Sequence, residues 1–179
     1  MIPVLQSIDE VNVVIRRFLI RQSEVDEHFV RDAKTLFGPS LDKSEDGVIF
    51  ESIDHDDVMI LFELYGRKSD SDMTQTLEDG SIISYKSFVV HVIIYGDDST
   101  TVAEKLAARF RTQKVRSDLQ SNAIHLEEIS EITELYEFKA STIWKRNDFD
   151  IDISCNLIFS QINDDYEVVS LSSLNIVDY

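Results

Sequence analysis

The chain has 179 residues and a formal net charge of −17, with 34 acidic side chains against 17 basic ones. That length suffices for one domain with a sizeable core, and a hydrophobic content of 43% is ordinary for a folded protein. The acidic balance argues against a surface built to neutralise nucleic-acid phosphates, which needs clustered Lys and Arg. No apolar run reaches the ~18 residues of a membrane span. The opening MIPVLQSIDE lacks the basic region and long apolar core of a signal peptide, so synthesis inside the cell is expected. One cysteine, Cys155, rules out an internal disulfide framework and offers no metal cluster.

Ser7-Ile8-Asp9-Glu10 has the form of a capping box, Ser at the N-cap and Glu three residues on. Val11, Val14, Ile15, Phe18 and Leu19 continue at helical spacing, which predicts an amphipathic helix over residues 8–22. A weaker helix is expected over 24–37, stopped by Gly38-Pro39. A polar loop over 40–47 leads to a short strand over 48–53. Asp54-His55-Asp56-Asp57 reads as a turn, and a second apolar strand over 58–65 closes a hairpin with the first. Residues 67–80, RKSDSDMTQTLEDG, are polar and irregular and are expected to form a mobile contact loop.

Residues 85–95 are β-branched and aromatic and apolar on both faces, with Phe88, Val90, Val92 and Ile94 on one side and Val89, Ile93 and Tyr95 with Ser87 and His91 on the other. A strand of that kind is covered on both sides and belongs at the centre of a sheet. Gly96-Asp97-Asp98 breaks the pattern. Asp98 or Ser99 can cap a helix whose stripe is Val102, Ala103, Leu106, Ala107 and Phe110, with Arg109 and Arg111 at its negative end. Residues 112–121 read as a further helical turn or a loop. Strands are expected over 123–128 and 132–143. Over 149–159 the alternation is strict: Phe149, Ile151, Ile153, Cys155, Leu157 and Phe159 face one way, and Asp148, Asp150, Asp152, Ser154 and Asn156 the other. An edge strand is expected over 167–177. The sum is α+β, one mostly antiparallel sheet with helices packed on it, in a single domain over residues 1–179.

Chemistry-bearing constellations are sparse. Asp148, Asp150 and Asp152 suggest a hard cation, but alternate residues on one strand face stand ~7 Å apart and nothing marks further ligands; a solvated or interface-facing strand side is the plainer reading. His28, His55, His91 and His125 lack metal-ligand spacing, and the five glycines stand alone, so no phosphate-binding loop exists. Cys155 on an apolar strand face reads as a buried, inert thiol. The expectation is a protein that is not an enzyme, with no catalytic residue, no cofactor and no metal. Trp144-Lys145-Arg146 admits two readings. Trp144 and Arg146 can anchor a subunit contact, since both types are enriched at interface hot spots. Alternatively Trp144 closes the core and Arg146 pairs with a nearby carboxylate.

A strand ending in Tyr-Gly, a helix with Ala-x3-Ala spacing and a terminal Phe-Arg, then a Trp-x-Arg pair leading into an alternating Asp/Ile strand resembles the neck or tail terminator proteins of tailed bacteriophages. The residues that carry the resemblance are Tyr85, Tyr95-Gly96, Ala103 and Ala107, Phe110-Arg111, Trp144, Arg146 and Asp150, within a span of residues 7–159. Residues 67–80 and the last strand are not fixed by that pattern. The resemblance implies a compact subunit that forms a homo-oligomeric ring, often a hexamer, in the virion. The ring caps the tail tube, meets the head-side connector and has the sheath as an optional partner. DNA passes through its lumen without specific binding, and no membrane is involved. Trp144, Arg146, Arg109 and Asp150 are then the candidate subunit-interface residues. The net charge suits such a conduit, and it suits plain solubility equally. The alternatives are an acidic binding module, such as a DNA-mimic inhibitor, and a metal-dependent hydrolase centred on residues 148–152.

Overall fold

The computed structural model describes residues 4–34, 54, 56–66, 74–139 and 141–159. Helix α1 spans Ile8–Ser23. The Ser7 hydroxyl accepts from the Glu10 N–H at 3.2 Å, and the Glu10 carboxylate reaches back to the Gln6 N–H at 2.7 Å. Two orphan N–H groups of the first turn region are thereby satisfied. The predicted stripe is buried through Val11, Ile15, Phe18 and Leu19.

Among the described residues seven strands make one mixed sheet: β1 Val30–Asp32, β2 Met59–Gly66, β3 Thr74–Thr76, β4 Ile82–Tyr95, β5 Ile124–Ile129, β6 Thr133–Lys139 and β7 Thr142–Phe159. The path across it is β1-β2-β4-β7-β5. The expected central strand is β4, and it pairs with β7 along its whole length, from Ile82 opposite Phe159 to Tyr95 opposite Arg146. Each partner of this ribbon is flanked by two shorter strands laid end to end. β2 and β3 share the free side of β4, and β5 and β6 share that of β7. Of the described strands only β1 runs parallel to its neighbour, and a single parallel bridge joins Leu5 to Leu157. The α+β expectation of one mostly antiparallel sheet with helices on it holds.

Among the described residues three helices cover one face. After β4, Gly96 turns the chain into α2 (Ser99–Phe110), and α3 (Gln113–Ser121) follows at once, capped by the Thr112 hydroxyl. The main core lies between these helices and the sheet. It gathers Ile15 and Phe18 of α1, Leu106 and Phe110 of α2, and Phe62, Val90, Phe149 and Ile151 of the strands. A smaller cluster on the far face joins Met59, Leu61, Tyr95 and Trp144. The helix-side face of β4 is packed from Phe88 to Ile94, whereas its far face is packed at the Ile93–Tyr95 end and half-buried at Ser87, Val89 and His91. Cys155 is buried, and burial pushes its thiol up to about 11.

Several expectations are corrected. The second helix does not form over its first half. Glu24 takes a left-handed conformation (φ 64°) that ends α1, a single 3-10 turn covers Glu27–Phe29, and Val30–Asp32 is strand β1. Val30, fully buried, fits a pleated core edge, and the Asp26 side chain caps the 3-10 turn instead of supporting a longer helix. The strand expected over 132–143 is two strands, β6 and the start of β7, folded back so that Phe138 opposes Ile143 and Lys139 opposes Thr142, with Ser141 left-handed (φ 64°) at the turn. Asp98 occupies the N-cap of α2 without a side-chain capping bond. Its backbone carbonyl accepts from the Val102 N–H at 3.1 Å. Within the expected loop over 67–80, Thr74–Thr76 is a strand and the Gly80 N–H closes a turn onto the Leu77 carbonyl at 3.0 Å. Residues 67–73 lie outside the described residues, as do the expected strands over 48–53 and 167–177.

Gly96 is the hinge on which α2 is hung. Its φ is +119°, its N–H donates to the Lys145 carbonyl at 3.2 Å, and a Cβ there would stand 2.4 Å from the Asp57 carbonyl oxygen. Gly96→Ala is expected to cost roughly 1–3 kcal/mol in backbone strain alone, with the clash against Asp57 in addition. Chemical denaturation would read it, and an unchanged midpoint would contradict the packing described here.

Candidate interaction surface

On the far face, cross-strand neighbours of β4, β7 and β6 build a continuous polar network. The β4–β7 register sets Tyr95 against Arg146 and His91 against Asp150, and successive even-numbered residues of β7 point the same way. Arg146 grips Asp148 with two nitrogens, one of them Nε at 2.7 Å, and donates through Nη1 to Glu137 at 2.9 Å. The Tyr95 hydroxyl donates to the same Glu137 oxygen at 2.6 Å, and the guanidinium stands 5.8 Å from the Tyr95 ring centre. His91 Nδ1 meets Asp150 at 2.6 Å, while Nε2 faces Asp148 at 3.7 Å.

The electrostatics follow from this geometry. Burial, joined by the bond to Glu137, pushes the Tyr95 phenol well above its ordinary value. Burial alone would lower Arg146, but the Asp148 and Glu137 carboxylates outweigh it and hold the guanidinium charged. Desolvation opposes the charge on Glu137, and the bonds from Tyr95 and Arg146 overcome it, so its carboxyl titrates below the usual range. Asp148 and Asp150 are thus engaged by cationic or imidazole partners of this chain. His91 has a carboxylate at each ring nitrogen rather than a hydroxyl or thiol, so the pair is not arranged to activate a nucleophile. Among the described residues no group of three His, Cys, Asp or Glu side chains could hold a metal ion.

The four interface candidates separate in space. Trp144 is 2% exposed and packs on Met59, Leu61 and Tyr95. Arg146 and Asp150 belong to the network. Arg109 lies on α2, across the sheet, where it donates to the Gln22 carbonyl and to Glu24, both at 2.5 Å. Lys105 also binds Glu24. Those two cations, Lys105 first, draw the Glu24 carboxyl down to about 2 from 4.5, so the reversed end of α1 is clipped to α2.

Sequence reasoning missed the most exposed apolar surface among the described residues. Beyond the Asn147 side chain, which donates to Ser99 at 2.9 Å and Thr100 at 3.2 Å at the start of α2, the β6–β7 hairpin runs on as an arm past the helical layer. On its helix-side face Tyr136, Phe138 and Ile143 are 67%, 70% and 63% exposed. Their apolar character was visible in the sequence. The turn at Ser141 was not, because no Gly, Pro, Asn or Asp stands between Lys139 and Thr142 in the sequence. Lys145 on the same face is paired with Glu134 at 3.4 Å. At the opposite sheet edge, α1 and β1 enclose an open groove of about 580 Å³, lined by Asp9, Val13, Arg16, Glu27, Asp32 and Phe62 among others. Arg16 is fixed in it by bonds to the Val30 and Glu27 carbonyls, each at 3.0 Å.

Among family models, the one described as phage neck terminator protein matches residues 45–178. That match takes in β2 through β7 with α2 and α3, and leaves α1 and β1 outside. A comparison with curated protein sequences finds no match.

Two measurements check the local chemistry. Arg146→Met should cost roughly 2–4 kcal/mol in urea denaturation, since it strands Asp148, whose side chain is 11% exposed. Arg146→Lys should recover little, because an ammonium cannot make the two-pronged contact. A loss below about 0.5 kcal/mol would reduce the network to an ordinary surface pair. For Glu24, the folded state holds the charged form more tightly than the unfolded chain does. Its stabilisation is complete above 4.5 and fades as pH falls towards about 2. Glu24→Gln should flatten the fall of melting temperature in that window and leave the slope above it unchanged.

Proposed function

The chain belongs to the phage neck terminator family, which makes it a structural protein of the virion neck, and from that premise we propose how it works. It acts as a single α+β domain that assembles head-to-tail into a ring, six subunits being the expected number. The ring seats on the last ring of the tail tube, covers the surface on which the tube grows, and presents its other side to the head connector. The mechanism is steric and geometric and needs no covalent chemistry. The chain is made in the host cytoplasm. DNA passes the lumen without adhering, since the chain's net charge of −17 repels phosphate.

The observation that carries this reading is the family match, joined to a fold that leaves one long apolar arm uncovered. The largest apolar patch on a monomer is typically about 300–600 Å² and is often functional. In this reading Trp144, Arg146 and Asp150 serve the subunit contact by stiffening the root of the arm. Arg109 serves it by holding α1 in place at the far edge. Asp148 and Asp150, held by Arg146 and His91, offer little to a metal, which disfavours the hydrolase reading.

Charge sets the conditions of assembly. Copies that each carry −17 repel one another over a Debye length of ~10 Å at 0.1 M salt. Sedimentation velocity across a salt series is therefore expected to find monomers at low salt, with rings appearing at high salt or on addition of tail tubes. A protein that stays monomeric at every salt and ignores tail tubes would contradict the terminator reading and favour the acidic binding module.

A further inference from the structure

We propose that the β6–β7 arm of one copy seats Phe138 in the α1–β1 groove of the next copy, over Val13 and against the Arg16 guanidinium. This rests on the ring reading above and names its contact. The topology sets it up. β1 is one edge of the sheet and β6 lies at the other, with β2, β4 and β7 between them. Tyr136, Phe138 and Ile143 lie on the helix side of the arm, and the groove also opens beside helix α1. Two complementary surfaces at opposite edges of one subunit let each copy engage a different neighbour on each side. They meet heterologously, which gives a closed ring when the rotation per subunit closes.

Charge selects a second copy as the occupant. On the helix-side face of the arm Lys145 and Glu134 offset each other, so that this face is neutral in a chain of −17. The groove lining carries Asp9, Glu27 and Asp32 against Arg16 and Arg31, a local charge of −1. Two copies that repel over most of their surfaces therefore meet where the arm brings no net negative charge to the acidic groove. The chemistry also fits. Val13 is 47% exposed, the only large apolar side chain of the described groove lining to be so open. A guanidinium held flat by backbone carbonyls offers an aromatic ring a cation–π partner.

The size of the contact explains its dependence on conditions. Three exposed side chains of this kind bury on the order of 400 Å², about half of the ~800 Å² per partner found in stable interfaces. One arm alone holds weakly, and ring closure or a tube end supplies the remainder. The groove is lined by α1, the 3-10 turn and β1, which lie outside the matched family region, and by Phe62 inside it.

The test uses Phe138→Asp and Val13→Asp in the full chain, first checked for wild-type melting. At a salt and protein concentration where the wild type forms rings, each variant alone should stay monomeric, with assembly lowered on the order of tenfold or more. Mixed in equal amounts and briefly cross-linked, they should give heterodimers and nothing larger. The intact arm of Val13→Asp then enters the intact groove of Phe138→Asp, and the other two surfaces are both blocked. Variants that form rings as the wild type does would overturn the proposal while leaving the ring reading intact, as would a mixture that stays monomeric. Variants that form rings yet no longer bind tail tubes would assign the arm to the tube instead of a second copy. A wild type that never self-associates, alone or on tubes, would remove the ring reading and this contact together.

Discussion

The antiparallel pairing of β4 with β7 is the constraint from which the rest of the molecule follows. Every residue of the fourteen-residue β4 has a partner on β7. Because side chains alternate with period two, this one register decides both faces at once. On one side it stacks Phe88, Val90 and Val92 beside Ile153, Ile151 and Phe149 as the floor of the helix-covered core. On the other it sets His91 beside Asp150 and Tyr95 beside Arg146. A one-residue slip would bury the aspartates of β7 under the helices and expose its isoleucines. The ribbon is also longer than the helical layer, so β7 continues beyond Tyr95 and carries the arm with it.

The charge of the chain is managed locally rather than uniformly. The few cations sit where carboxylates would otherwise repel one another: Arg146 between Asp148 and Glu137, Arg109 and Lys105 around Glu24. The first group is partly buried, so its hydrogen bonds operate in a lower dielectric and stiffen the root of the arm. The second is exposed and screened by salt, and its role is to hold a left-handed helix end against α2. What remains is a strongly acidic exterior interrupted by one nearly neutral, apolar arm. That distribution suits a subunit that must stay soluble and separate until it reaches the right surface.

Much of the fold was legible in the sequence because its signals are local. Helix α1 announced itself through Ser7, Glu10 and a five-residue apolar stripe. The two-sided apolar run of β4 and the strict alternation after Phe149 marked the central strands. The failures share a cause, which is that tertiary pairing overrode weak local preference. Residues 24–32 have enough helical character to suggest a helix, but Val30 is drawn into a parallel pair with β2. Residues 132–143 alternate well enough to suggest one strand, and only pairing with β7 shows that the chain doubles back at Ser141. Trp144 and Arg146 were identifiable as a notable pair. Which of them would face the core and which the network could be settled only by the β4–β7 and β6–β7 registers. The groove was invisible for the same reason, since Val13 and Arg16 belong to a helix and Asp32 to a strand that sequence reading did not place together.

The central claim is that this chain closes the head-proximal end of a phage tail as a ring joined arm to groove. An electron cryo-microscopy reconstruction of tails bearing the protein tests it most directly. The account predicts one ring at the head-proximal end, with the β6–β7 hairpin of each subunit lying across α1 and β1 of its neighbour and Phe138 facing Val13. A tail end without such a ring, or a ring whose arms reach into the lumen or onto the tube while the α1–β1 grooves stay open, would contradict it.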